Sequence, residues 1–263
     1  MPLSRRDFLS LAASSLTPDL LLRTSRARAS ETTQIRALVF DAFPILDLRP
    51  VFLLAEELFP GRGAELSNLW RIRQFEYQWL RALSGQYVDF WQATDDALVY
   101  SATTLKLELS TRNRTELMQA YLQLKVWPDV PSALHSLRAS GVRLGVLSNA
   151  TAKILEAGIR NSGLTSLFEH VLSTDTLSTY KPDPRAYQMA LDAFRLPREE
   201  IGFSAFAGWD VAGAKWFGYP TFWVNRLKAP PEELGVSPDA TVGSVADLVT
   251  LLQKVGLGAN TRS

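Results

Sequence analysis

Cysteine is absent from the 263-residue chain, which excludes disulfides and thiolate metal sites. Histidine is scarce: His135 and His170 are the whole supply, too few for a multi-histidine metal centre. No stretch reaches the roughly 18 consecutive apolar residues that a membrane-spanning helix needs. Neither sign of charge dominates, with 28 Lys+Arg against 27 Asp+Glu and a formal charge of +1. There is no basic stripe and no interleaving of basic and aromatic residues, so nucleic acid is not an expected partner. What remains is an ordinary globular composition, 46% hydrophobic and 21% charged. It fits one large domain, or one domain carrying an insertion.

The first residues read as a leader rather than as part of a fold. Ser4-Arg5-Arg6-Asp7-Phe8-Leu9 resembles the twin-arginine export pattern. Leu9 to Leu16 is a short run of apolar and small residues, and Ala27-Arg28-Ala29 fits a small-residue cleavage site. Arg5, Arg6, Arg23, Arg26 and Arg28 lie in this segment against Asp7 and Asp19, so the positive balance of the chain belongs to the leader. The expectation is export to the periplasm after removal of residues 1–29. A basic amphipathic helix that stays attached, on a cytoplasmic protein, is the alternative. The twin-arginine route carries folded proteins, so the missing cysteine does not argue against a periplasmic home.

Ala37-Leu38-Val39-Phe40 runs into Asp41 and then into a Pro-containing loop, Ala42 to Asp47. A short apolar run with Val and Phe predicts a buried strand, which leaves the carboxylate at the strand's carboxyl end. Open α/β sheets place their ligands there. Taken alone, Asp41 reads first as a turn cap.

From residue 49 the spacing becomes helical and predicts helices over 51–59 (ended by Pro60-Gly61), 65–83, 87–106 and 111–124. That is too much helix for a simple crossover. It predicts a small cap over the carboxyl end of the sheet, able to exclude water and to lend side chains to a site. Arg71 follows Trp70 on the longest of these helices. On spacing alone it reads as a surface arginine paired with a glutamate. The aromatics Trp79, Tyr87, Phe90 and Trp91 read as core before pocket.

After a helix over 129–140 the strand pattern returns. Arg143 to Leu147 ends in Ser148-Asn149, residues suited either to an anion or to capping the next helix. Val171-Leu172-Ser173 is a further strand, and Tyr180-Lys181-Pro182-Asp183-Pro184 a rigid turn holding Lys181 in extended backbone. A helix carrying Tyr187 follows, then a strand over 200–206 running into Ala207-Gly208-Trp209-Asp210, and a helix over 211–217. Strands over 219–224 and 241–243 and a helix over 245–255 complete the pattern. The expected fold is α/β, a doubly wound, Rossmann-like, mostly parallel sheet. The leader covers 1–29, the core 35–48 and 126–255, and the helical cap 49–125.

Four strand ends thus carry Asp41, Ser148-Asn149, Lys181 and Asp210 in that order, with a helical insertion after the first. This ordered set resembles the haloacid dehalogenase superfamily, in particular its type II 2-haloacid dehalogenases. Trp70-Arg71, Glu76-Tyr77, Trp79-Leu80-Arg81, Leu147-Ser148-Asn149, Tyr180-Lys181-Pro182-Asp183 and Trp209-Asp210 carry the likeness. The resemblance implies a hydrolase acting on carbon–halide bonds of small 2-haloacids, without metal or other cofactor, and homodimeric by family habit. It implies that Asp41 attacks the halogen-bearing carbon to form an ester and that Lys181 keeps Asp41 ionised. Arg71 would meet the departing halide, while Ser148 and Asn149 hold the substrate carboxylate or orient Asp41. Asp210 would activate the hydrolytic water. Phe43, Phe90, Tyr187 and Trp209 are expected as pocket wall.

The phosphatase branch is disfavoured on chemical grounds. It places a second aspartate two residues after the nucleophile, where this chain has Phe43, and too few carboxylates gather for magnesium. The sequence also departs from the dehalogenase pattern. The loop normally reads Y-G-T-L-x-D; here it is Phe43-Pro44-Ile45-Leu46-Asp47, one residue shorter. Pro44 has no N–H to donate, and Ile45 replaces a hydroxyl residue. Ala205 and Ala207 stand where Ser and Asn are common. Three readings stay open on sequence: a working dehalogenase, another hydrolase of the superfamily such as a phosphatase, and a non-catalytic exported binding protein.

Overall fold

The computed structural model describes residues 34–254; the leader expected over residues 1–29 lies outside the described residues. Six strands form one sheet: β1 (Ala37–Phe40), β2 (Arg143–Ser148), β3 (His170–Ser173), β4 (Ile201–Ala205), β5 (Thr221–Val224) and β6 (Ala240–Val242). They lie in the order β3-β2-β1-β4-β5-β6 and every pair is parallel. A parallel sheet is covered on both faces, so its central strands are apolar throughout rather than alternating. All four residues of β1 are buried. Leu38 and Phe40 pack into the cluster that also holds Leu134 and Leu248. Ala37 and Val39 face the opposite cluster, with Tyr187, Phe203 and Val211. The strand order reverses at β1, between its partners β2 and β4, and a sheet of this kind opens its crevice at that point. Asp41 stands there.

Ten helices among the described residues accompany the sheet. Four of them, α2 (Arg49–Leu58), α3 (Gly63–Leu83), α4 (Phe90–Thr104) and α5 (Thr111–Ala120), lie between β1 and β2 and build the cap. The buried side of α3 presents Leu66, Trp70, Gln74 and Gln78. The Trp70 indole donates to the Thr94 carbonyl of α4 at 2.7 Å. Helix α5 stops at Ala120, short of the expected 124. Tyr121, Leu122 and Gln123 instead donate to carbonyls three residues back, a tightening common at helix ends. The core helices are α6 (Val130–Ala139), α7 (Ala152–Asn161), α8 (Pro184–Phe194), α9 (Gly208–Phe217) and α10 (Val245–Lys254).

Two boundaries near Asp41 differ from the sequence reading. The segment after Asp41 is one helical turn, α1 (Ala42–Ile45), and not an open loop. Pro44 is tolerated because the first N–H groups of a helix have no intrahelical partner to lose. The Asp41 carboxylate accepts from the Phe43 N–H at 3.3 Å, so it caps this turn as well as facing the crevice. Helix α9 starts three residues earlier than expected. Trp209 and Asp210 therefore sit in its first turn, where the helix dipole favours an acidic group.

Candidate active site

The site is built on a buried lysine. Lys181 is 1% exposed and reaches two carboxylates with one ammonium group: Asp41 Oδ1 at 2.9 Å and Asp210 Oδ2 at 2.6 Å. Burial alone would lower the Lys181 pKa. The two negative charges and their hydrogen bonds overturn that and raise it. Asp210 is pushed up to about 6, first by burial and then by the charge of Asp41, against the opposing pull of Lys181 and Tyr187. The Tyr187 hydroxyl donates to Asp210 Oδ1 at 2.7 Å, and burial beside Asp210 raises its own pKa well above the ordinary value. Gly213 is what admits this hydroxyl. A Cβ there would stand 2.2 Å from the tyrosine oxygen.

Asp41 is held unevenly. Oδ1 accepts from Lys181 and from the Ser148 hydroxyl at 3.1 Å, while Oδ2 accepts the Phe43 N–H at 3.3 Å. Asn149 is anchored on three sides. Its Oδ1 accepts from the Lys181 backbone N–H at 2.8 Å and from Thr174 at 3.3 Å, and its Nδ2 donates to Gln78 of the cap at 3.0 Å. Neither Ser148 nor Asn149 caps α7 with its side chain, so the capping alternative does not hold for them. Further ties join cap to core beside the site. Trp79 Nε1 donates to the Lys181 carbonyl at 3.1 Å, Tyr87 to Asp175 at 2.7 Å and Tyr180 to the Val88 carbonyl at 2.6 Å.

Beside Asp41 lies a cavity of about 20 Å³, room for about one water. Asp41, Ser148, Asn149 and Lys181 line one side, and Phe43, Phe75, Phe90, Phe206 and Trp209 the other, with Arg71 and Ala207 completing the wall. Arg71 is no surface ion pair. Its guanidinium lies 5.5 Å from the Phe43 ring centre and 4.9 Å from that of Phe75, and burial lowers its pKa despite Tyr121 and Asp41 nearby. Among the described residues, its Nη1 and the Trp209 indole nitrogen are both buried without a partner. Two unpaired buried donors in the wall of one cavity call for an acceptor, since each costs about 1–3 kcal/mol unmet. An anion would supply it. A divalent cation fits poorly, because the Lys181 ammonium already occupies the space between the two carboxylates.

Two expectations need correction. Tyr187 is not pocket wall: it stands behind Asp210, away from the cavity. Asp210 too lies behind Lys181, with both oxygens taken. The sequence reading also missed Phe75 and Gln78. The available signal was helical spacing, since Phe75 lies one turn and Gln78 two turns after Arg71, on the same face. Phe206 had no signal beyond its place at the end of β4.

The family pattern of haloacid dehalogenase-like hydrolases matches residues 23–218. The (S)-2-haloacid dehalogenase of Pseudomonas sp. (strain YL) is 42% identical over 83% of this chain and 95% of its own. The chain belongs to the haloacid dehalogenase-like hydrolases. Haloacetate dehalogenase H-2 of Moraxella sp. (strain B) is 41% identical, covering 83% of this chain and 98% of that one. Among solved structures, the L-2-haloacid dehalogenase of Xanthobacter autotrophicus with chloropropionic acid covalently bound superposes with a TM-score of 0.78. It is 33% identical over 85% of this chain and 100% of that one. A phosphatase of the superfamily, from Thermococcus onnurineus, is 20% identical with a TM-score of 0.54 and shares the fold. The six-stranded parallel sheet with flanking helices is thus the haloacid dehalogenase-like fold, as expected from the strand-end pattern.

Proposed function

We propose that this haloacid dehalogenase-like hydrolase converts short 2-haloacids, of the (S) series named in its relatives, to 2-hydroxy acids through an ester on Asp41. The observation that carries the reading is the cavity where Asp41, held by Lys181 at 2.9 Å, faces the unpaired donors of Arg71 and Trp209. Asp41 Oδ2 has the fewest hydrogen bonds of the pair, and we assign the attack to it. A lone pair of Oδ2 forms the bond to C2 as the carbon–halogen bond breaks and halide leaves with the electron pair toward Arg71. Ser148 stays on Asp41 Oδ1, and the second Nδ2 proton of Asn149, beyond the one given to Gln78, meets the substrate carboxylate. Oδ1 becomes the carbonyl oxygen of the ester, still facing Lys181 and the Ser148 hydroxyl. When water attacks the ester carbon, the oxyanion develops where those two donors already point. The proton of that water reaches Asp210 by way of Lys181, whose Nζ lies 2.6 Å from Asp210 Oδ2: the ammonium hands a proton to Asp210 as it takes one from the water. Collapse then returns the Asp41 carboxylate and releases the 2-hydroxy acid.

Halide release from 2-chloropropionate in metal-free buffer, falling at least about a thousandfold in Asp41→Asn, is the expected result. A single turnover in heavy-oxygen water should place label in Asp41. Magnesium-dependent phosphate release, or ligand binding without turnover, would replace this reading with a phosphatase or a binding protein. We also propose that residues 1–29 direct export, supported by the Ser4-Arg5-Arg6 pattern and tested by fractionation with Arg5→Lys/Arg6→Lys. A homodimer is proposed from family habit and checked by sedimentation.

A further inference from the structure

The turn after the nucleophile is held from outside by its backbone. A single helical turn is too short to stand alone, and α1 leaves its later carbonyls without intrahelical donors. Four consecutive carbonyls nevertheless have partners, all from two residues. Trp127 Nε1 donates to Phe43 O at 3.3 Å and to Leu46 O at 3.2 Å, and the Trp127 backbone N–H donates to Ile45 O at 2.9 Å. Arg226 Nε and Nη2 both donate to Pro44 O, at 3.0 and 2.8 Å.

The two donors are themselves fixed. The Arg226 guanidinium lies 4.5 Å from the Trp127 ring centre. It also makes a two-toothed pair with Asp129, Nη1 to Oδ1 at 3.0 Å and Nη2 to Oδ2 at 3.1 Å. Asp129 Oδ2 accepts from the Val245 and Ala246 N–H groups at the start of α10 as well. Burial works against the Asp129 anion, yet Arg226 and the Ala246 N–H hold its pKa below the ordinary value.

We propose that Arg226 and Trp127 are positioning residues for the nucleophile. Neither touches Asp41. They fix α1 by its carbonyls, and α1 carries the Phe43 N–H that meets Asp41 Oδ2 and the Phe43 ring that walls the cavity. Pro44 and Ile45 offer this turn no polar side chain, so its placement is taken over from behind. The inference rests on Asp41 as nucleophile, and its test separates the two claims.

The first measurement is the single-turnover rate of ester formation with 2-chloropropionate in Arg226→Met, Arg226→Lys and Trp127→Phe. Arg226→Met should slow ester formation about tenfold or more, as expected for about 1.4 kcal/mol of lost alignment, with KM changed less than about twofold. Arg226→Lys, which keeps a donor for Pro44 O, should recover most of the rate. Trp127→Phe keeps the ring under Arg226 but loses two carbonyl bonds, and should fall between. Arg143→Met, which breaks a remote pair with Glu169, is the control for general destabilisation and should leave the rate unchanged. The second measurement is solvent exchange of the Phe43 amide, which needs no turnover. It should quicken about tenfold in Arg226→Met and Trp127→Phe and not in Arg143→Met. Unchanged Phe43 exchange in both clamp variants, or ester formation that follows melting temperature alone across all four variants, overturns the positioning role. Absence of ester in the unsubstituted chain would instead overturn the dehalogenase reading, leaving the exchange measurement to decide the clamp.

Discussion

The two sides of Asp41 are built on different principles. On one side, side chains act on the carboxylate directly: Lys181 and Ser148 bond Oδ1, and Asp210 and Tyr187 extend the network behind the lysine. On the other, residues 43–46 are buried and apolar, and they reach Asp41 through a single backbone N–H. Ala205 and Ala207 add no polar atoms beyond their backbones. The first side is electrostatic, paying for burial by mutual compensation of charges. The second is mechanical, its polar atoms satisfied by partners outside the site. Loss of side-chain hydroxyls and amides therefore has very different consequences on the two sides.

Lys181→Met should give the largest effect. It leaves two buried carboxylates without the cation they share, and ester formation should fall at least about a thousandfold. Breaking a buried pair costs about 3–5 kcal/mol, which denaturant unfolding at neutral pH should register and low pH should relieve. Asp210→Asn comes next. Ester should still form but persist, its hydrolysis slowed about a hundredfold for want of a proton acceptor, and intact-mass measurement during turnover should catch it. The pH dependence is smaller and separates two states. In the free enzyme Asp210 is pushed up to about 6, partly by the Asp41 charge. Esterification removes that charge, so Asp210 stays ionised to lower pH. The rate of ester hydrolysis should rise with pH and level off below pH 6, as quench-flow across the acid range would show. The smallest effect is expected on the mechanical side. Ala207→Asn restores an amide, yet ester formation should change by less than about threefold, because the turn is already held. A gain well beyond tenfold would mean that the apolar side is a deficiency and not an alternative construction.

The electrostatic side was legible in the sequence and the mechanical side was not. Asp41 follows the apolar run of β1, Ser148 ends β2, Lys181 stands within a rigid turn and Asp210 comes shortly after β4, and a polar residue in such a place stands out against the apolar run before it. Arg71 could be named only through the resemblance, because helical spacing does not say whether an arginine faces water or a cavity. The support of α1 left no trace at all. Its acceptors are peptide carbonyls, which every residue possesses, so nothing in Phe43-Pro44-Ile45-Leu46 marks them. Trp127 and Arg226 lie far from that turn in sequence, and Asp129 reads as an ordinary helix start. The short α1 turn itself reads as a loop in the sequence, since a proline within four residues of an aspartate signals a break before it signals a first helical turn.

The Trp79 indole of α3 donates to the Lys181 carbonyl. Gln78, its neighbour on that helix, accepts from Asn149, and Asn149 accepts the Lys181 backbone N–H. Both polar atoms of the lysine's own peptide units are thus tied to one cap helix. A substitution on α3 is felt at the lysine without touching its side chain.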